Sequence, residues 1–112
     1  MDICYTGSGV LASKLAMDKV ASRRIFEVYA IPVPSYRVVN QFAYGKNWKL
    51  HHTLSLPAVV KPSCHGSSIG LSIVERYEDL AIAMELAFQY DATVLIESFI
   101  RGRELTVGIL QD

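Results

Sequence analysis

Lys61 stands at the end of a short apolar run, residues 58–60, and opens onto Pro62, Ser63, Cys64, His65, Gly66, Ser67, Ser68, Ile69 and Gly70. These residue types in this order can bind phosphate. A lysine at a strand end has a fixed stem and a mobile ammonium, a point charge for phosphoryl oxygens. Gly66 and Gly70 allow a loop backbone to come close to a ligand and turn its N–H groups inward, and Ser67 and Ser68 add hydroxyl donors. The common phosphate motifs G-x-x-x-x-G-K-[ST] and G-x-G-x-x-G are absent, and the lysine precedes the loop instead of following it. Read locally, the stretch also describes a polar surface turn after a buried strand.

A second group of residues carries Glu97 and Glu104, one at the end of an apolar run and the other at the start of the next. A bent connection would bring both carboxylates around one crevice. Between them the backbone of Ser98, Phe99 and Ile100 offers donors and acceptors beside apolar side chains, as a purine edge requires, and a carboxylate such as Glu104 can accept from both hydroxyls of a ribose. Solvated glutamates at strand ends are the alternative.

The 112 residues suffice for one domain with a core, and 51% apolar with 20% charged residues is a globular composition. The formal net charge is zero, which argues against a nucleic-acid-binding surface. No apolar run reaches the ~18–20 residues of a membrane span. Met1-Asp2-Ile3-Cys4 has neither the basic nor the apolar region of a signal peptide, and Cys4 and Cys64 have no metal or disulfide spacing. Reduced thiols in a cytoplasmic chain are expected. Charge is segregated: residues 28–74 hold no acid but carry Arg37, Lys46, Lys49, Lys61 and three histidines, whereas residues 75–97 hold six acids and one base. A basic segment around the glycine-serine loop fits a small polyphosphate, with chance clustering the alternative.

The elements that would position these groups mix helices and strands without repeats. Residues 10–16 read as a short helix, and Asp18 as the cap of a second helix over residues 19–29, with Ala21, Ile25, Val28 and Tyr29 as its apolar stripe. Residues 36–39, 58–61, 71–75, 93–97 and 104–110 read as strands, the last from the alternation of Leu105, Val107 and Ile109. Residues 78–90 form the clearest helix, apolar nearly all round and so expected to be buried on more than one side. Residues 40–55 are the least legible. The pattern predicts an α+β fold with a mixed, partly antiparallel sheet packed with helices.

Taken together, the lysines, the glycine-serine loop, Leu95-Ile96-Glu97 and Glu104-Leu105-Thr106-Val107 resemble the central, ATP-binding lobe of ATP-grasp enzymes. The opening residues 5–19 are similar to the segment entering that lobe in the D-alanine–D-alanine ligase family. The resemblance covers nearly the whole chain outside residues 40–55. It implies residues 1–18 as a linker and short helix from the end of an amino-terminal lobe, and residues 19–112 as the central nucleotide-binding subdomain, the carboxy-terminal lobe being absent. It implies that Lys19 and Lys61 bind the ATP phosphates, that Gly66 and Ser68 cover them, and that Ser67 orients the first D-alanine. Glu97, with the backbone of Ser98 and Ile100, would hold adenine, and Glu104 the ribose. The reaction implied is ATP-dependent joining of two D-alanines through an acyl phosphate, for peptidoglycan synthesis in the bacterial cytoplasm. Its magnesium ligands are expected in the carboxy-terminal lobe, its partners are the remaining lobes, and the parent enzyme is expected as a homodimer. On this reading the chain alone is inactive.

The sequence departs from the family pattern at Cys64-His65, where an Arg-Glu pair is common, and at Ser98, where lysine is common. His65 can donate to a phosphate or be a tolerated loop residue. A non-catalytic nucleotide-binding or interaction module, and another ATP-grasp carboxylate–amine ligase, are the alternative functions.

Overall fold

A computed structural model describes residues 4–45 and 55–110. The elements run α1 (Val10–Met17), α2 (Lys19–Val28), β1 (Tyr36–Asn40), β2 (Ala58–Pro62), β3 (Ser72–Val74), α3 (Leu80–Phe88) and β4 (Thr93–Ser98), with a 3-10 turn, Tyr77–Asp79, leading into α3. The four strands form one sheet in the order β1-β4-β2-β3, every neighbouring pair antiparallel. The fold is therefore α+β, as the mixture of periods predicts.

Side chains alternate across a strand, so the sheet has two unlike faces. On one face Val39, Ala58, Val60, Val74, Val94 and Ile96 pack with Leu80, Ala83, Met84 and Ala87 of α3 as the hydrophobic core. On the other face the register puts Tyr36, Val59 and Glu97 side by side, with Lys61 opposite Leu95. The main core thus lies on one side, and the charged chemistry stands on the other, beside the buried Leu95 and Val20.

Two expectations are corrected here. The stripe Ala21, Ile25, Val28 and Tyr29 does not bury α2. Val28 and Tyr29 are 81% and 75% exposed, and the buried residue is Val20. Helix α2 meets the sheet through the face bearing Lys19, Val20 and Arg23, because polar bonds at its first turn fix its rotation. Residues 104–110 are not a strand: they have no regular structure, and Leu105, Val107 and Ile109 are 79%, 82% and 87% exposed. Alternation makes a strand only where a neighbouring backbone supplies the ladder, and none of the described strands pairs there.

Helix α3 follows its apolar periodicity, but only one face is buried in this chain. Ile82, on the opposite side, is 69% exposed. Most of residues 40–55, including the tryptophan, lies outside the described residues. Tyr44, just before that gap, packs on Phe88 with ring centroids 5.2 Å apart.

The two faces of α3 give the first prediction. Met84→Ala should cost about 2–5 kcal/mol in urea unfolding, the usual range for emptying a closed core site. Ile82→Ala should cost less than about 1 kcal/mol, as expected of an exposed position. Equal losses would mean that the α3 face assignment is wrong.

Candidate functional site: a cationic corner behind a glycine-serine loop

Helix α2 is attached to the end of β2 through its first two residues. Asp18 Oδ1 accepts from the N–H groups of Val20 (2.9 Å) and Ala21 (3.0 Å) and from the hydroxyl of Ser63 (3.0 Å). It thereby caps the helix and ties it to the strand exit at once. The Lys19 N–H donates to the Ser63 carbonyl at 3.1 Å. The Lys19 ammonium donates to the carbonyls of Pro62 (3.0 Å), Ser63 (3.1 Å) and His65. An ammonium has three protons, so these carbonyls use the full set. Burial lowers the Lys19 ammonium from its ordinary value, and the nearby charge of Lys61 lowers it further.

A second attachment comes from Asp91. Its carboxylate accepts from the N–H of Cys64 at 2.9 Å and of Thr93 at 3.0 Å, and Ser63 N–H donates to the Thr93 carbonyl at 3.0 Å. The chain leaving β2 is therefore held on both sides before the loop begins. Within the loop, Ser67, Ser68 and Gly70 take left-handed φ angles of 52°, 59° and 68°. At Gly70 a Cβ would lie 2.7 Å from the Tyr90 ring and 2.9 Å from Pro62, so this glycine is required by packing within the chain. Gly66 has no such neighbour nearer than Met17 at 3.8 Å. Gly66, Ser67 and Ser68 are exposed, and their N–H groups bond to no described backbone group. Successive unspent N–H groups on a tight turn form a concavity suited to an anion.

Glu97 is the centre of the ionic structure. Its carboxylate receives the Lys61 ammonium on Oε1 and Arg23 Nη2 on Oε2, the latter at 2.9 Å. All three side chains are largely withdrawn from water, at 9% exposure for Glu97, 13% for Lys61 and 18% for Arg23. Lys19, Arg23 and Lys61 thus gather three positive charges here; Glu97 pairs with two of them, while the carboxylates of Asp18 and Asp91 face backbone N–H groups. The cations stand together beside a loop whose N–H groups bond to no described backbone group.

The structure brings together Lys19, Lys61 and Glu97, with Gly66, Ser67 and Ser68 next in the chain. It does not bring Glu104 to Glu97. Glu104 is exposed, in the segment after β4 that lacks regular structure. The crevice expected between the two carboxylates is corrected on this point, because the strand that should have carried Glu104 back does not form. Ser98 uses its N–H on the Ser35 carbonyl at 2.9 Å, while Ile100 is 67% exposed and spends neither backbone group on another described backbone group. Arg23 and Asp91 escaped the sequence reading. A signal existed for each: Arg23 lies four residues after Lys19 on one helical face, and Asp91 precedes Thr93 by the two residues of a side-chain-capped turn. Among the described residues no group of three or more His, Cys, Asp or Glu side chains could hold a metal ion. None of the described helices is long and apolar enough to cross a membrane.

This fold recurs in solved enzymes. A D-alanine–D-alanine ligase from Helicobacter pylori superposes with a TM-score of 0.77 at 32% identity, over 87% of this chain and 29% of that one. The VanG D-Ala:D-Ser ligase of Enterococcus faecalis superposes with a TM-score of 0.73 at 32% identity, over 82% of this chain and 27% of that one. The fold is accordingly that of an ATP-grasp enzyme lobe. The family described as D-ala D-ala ligase C-terminus matches residues 25–112. The D-alanine–D-alanine ligase of Geobacter sulfurreducens is 48% identical over 113 residues, covering 100% of this chain and 35% of the relative. The chain belongs to the D-alanine–D-alanine ligase family, and it spans about a third of the length of the curated relatives it matches.

The Asp18 attachment makes a pH prediction. The N–H of Ala21 holds its carboxyl below the ordinary 3.8, with the Ser63 hydroxyl and Val20 N–H adding and burial opposing. A depressed folded-state value means that the stabilisation is complete above the ordinary value and is lost as pH falls through the folded one. Asp18→Asn should flatten the fall in stability below about pH 4 while retaining a capping oxygen. Asp18→Ala should cost about 1–2 kcal/mol at neutral pH. Urea unfolding from pH 2 to 7 checks both, and an unchanged acid limb in Asp18→Asn would show that Asp18 is not the titrating tie.

Proposed function

We propose that this chain is the nucleotide-binding lobe, residues 19–112 entered through residues 1–18, of an ATP-dependent ligase that joins two D-alanines through an acyl phosphate. The observation that carries the proposal is the convergence of Lys19, Arg23 and Lys61 on one corner beside the unspent N–H groups of Gly66, Ser67 and Ser68. The residues fit the triphosphate of ATP, which supplies the phosphoryl group that activates a carboxylate. Lys61 is the cation best placed to exchange its partner for a phosphoryl oxygen. Lys19 reaches one by giving up a carbonyl, and otherwise adds charge behind the loop. Gly66 and Ser68 close over the phosphates, and Ser67 orients the first D-alanine. Glu97, with the backbone of Ser98 and the free groups of Ile100, takes the adenine edge. Glu104 takes the ribose if residues 99–110 fold back over the site.

Positive charge already fixed in place lowers the barrier for a transferring phosphoryl group, since nothing need reorganise as charge moves. Withdrawing Lys61 and Arg23 from water strengthens that effect. Magnesium is part of the proposed reaction. The described residues supply no ligand cluster for it, and its protein ligands are assigned to the rest of the enzyme, in the bacterial cytoplasm, with the other lobes of the same chain and a second subunit as partners. Ligases named for D-alanine and for D-serine share this fold, so the fold by itself does not choose the second substrate.

In the longest natural chain carrying this segment, Lys61→Ala should weaken ATP by about 10- to 100-fold, the range for losing one charge-assisted contact, and adenosine by less than about twofold. Calorimetry with both ligands checks this, and equal losses would make Lys61 a purely structural residue. Ser67→Ala should raise the D-alanine requirement in a phosphate-release assay and leave ATP affinity nearly unchanged. A selective loss of ATP binding would move Ser67 to the phosphate site. The 112-residue chain alone should release no phosphate in response to D-alanine, and metal-dependent dipeptide synthesis by it would refute the assignment as one lobe.

A further inference from the structure

Arg23 and Lys61 hold different oxygens of the same carboxylate, Oε2 and Oε1 of Glu97. One partner can therefore leave without disturbing the other. If Lys61 left Glu97 alone, a carboxylate at 9% exposure would be without a cation, an unfavourable state for a charge withdrawn from water. Arg23 removes that cost. It reaches Glu97 from α2, a helix fixed by the Asp18 and Lys19 bonds to residues 62–65, so its hold does not depend on Lys61. Its Nε is buried and bonded to nothing among the described residues, so the guanidinium is committed to Glu97 through Nη2.

We propose that Arg23 is a positioning residue for nucleotide binding: it keeps Glu97 paired and in place while Lys61 moves to the phosphates. This rests on the assignment of Lys61 to phosphate made above. Before binding, two cations share one carboxylate. After binding, Lys61 faces phosphoryl oxygens, Arg23 and Glu97 remain a matched pair, and Oε1 is free to accept from an adenine amine. The ionisable groups facing Glu97 are Lys19 and Arg23 of α2, Lys61 of β2 and, across the ladder on β1, Tyr36, whose hydroxyl donates to Glu27 of α2 at 3.1 Å. With Lys61 on phosphate, Arg23 is the cation that remains bonded to Glu97: Lys19 donates to carbonyls instead, and Tyr36 carries no positive charge.

The test is calorimetric titration of the longest natural chain with adenylyl imidodiphosphate. Arg23→Met should bind at least about tenfold more weakly than wild type, because Glu97 is left without a cation when Lys61 leaves it. Arg23→Lys should restore most of the affinity. In a Glu97→Gln background, Arg23→Met should weaken binding far less than it does in wild type, losing only the charge that Arg23 adds to the corner. This comparison also serves if Arg23→Met alone folds poorly, since the double variant buries no lone carboxylate. An equal loss from Arg23→Met in both backgrounds, or unchanged affinity in Arg23→Met alone, would overturn the proposal. If Lys61→Ala does not weaken binding to the wild-type background, the phosphate assignment itself has failed; if it does and Arg23→Met changes nothing, only the role of Arg23 has failed.

Discussion

Asp18 and Lys19 fasten the start of α2 to the backbone leaving β2, and the geometry of the charged corner depends on that attachment. Four hydrogen bonds from Lys19 and one shared carboxylate oxygen of Asp18 converge on residues 62–65. They fix which face of α2 meets the sheet. With the helix in that rotation Arg23 arrives at Glu97, and with the strand exit pinned by Asp91 the loop leaves in a defined direction. Without the attachment α2 would have little reason to lie where it does, for Val20 is its one buried residue.

Dividing the sheet into an apolar face and a charged face resolves a conflict between stability and function. The core under α3 needs close-packed apolar side chains, and a phosphate site needs excess positive charge. Placing them on opposite sides of the same four strands lets β2 serve both, through Val60 facing the core and Lys61 facing the charge. Glu97 lies between two of the cations and pairs with both within the chain; under the proposed function, the same pairing sets the exchange that a phosphate would make.

The sequence read well wherever the controlling interaction is local. Asp18 as a helix cap, the periodic face of α3, and the strands bearing Lys61 and Glu97 all follow from neighbours a few residues apart. It read poorly where the deciding partner is distant. The apolar stripe of α2 pointed the wrong way because bonds to Pro62, Ser63 and His65, more than 40 residues on, outweigh helical amphipathicity. Arg23 drew no notice because its carboxylate lies 74 positions later. Residues 104–110 carry a strand pattern without a described ladder partner. Gly70 suggested ligand approach, whereas Tyr90 and Pro62 supply the steric reason for it. Family resemblance implies a phosphate role for Lys19, which remains part of the proposed function. The geometry adds that its ammonium first organises the loop.

The central claim is that Lys61 changes partners while α2 and Arg23 stay fixed. The most direct measurement is a crystal structure of the longest natural chain bound to a non-hydrolysable ATP analogue. The expected result is Lys61 Nζ within about 3 Å of a phosphoryl oxygen, Arg23 still on Glu97 Oε2, and Asp18 still capping α2. Phosphates bound elsewhere, with the Lys61–Glu97 pair intact, would contradict it.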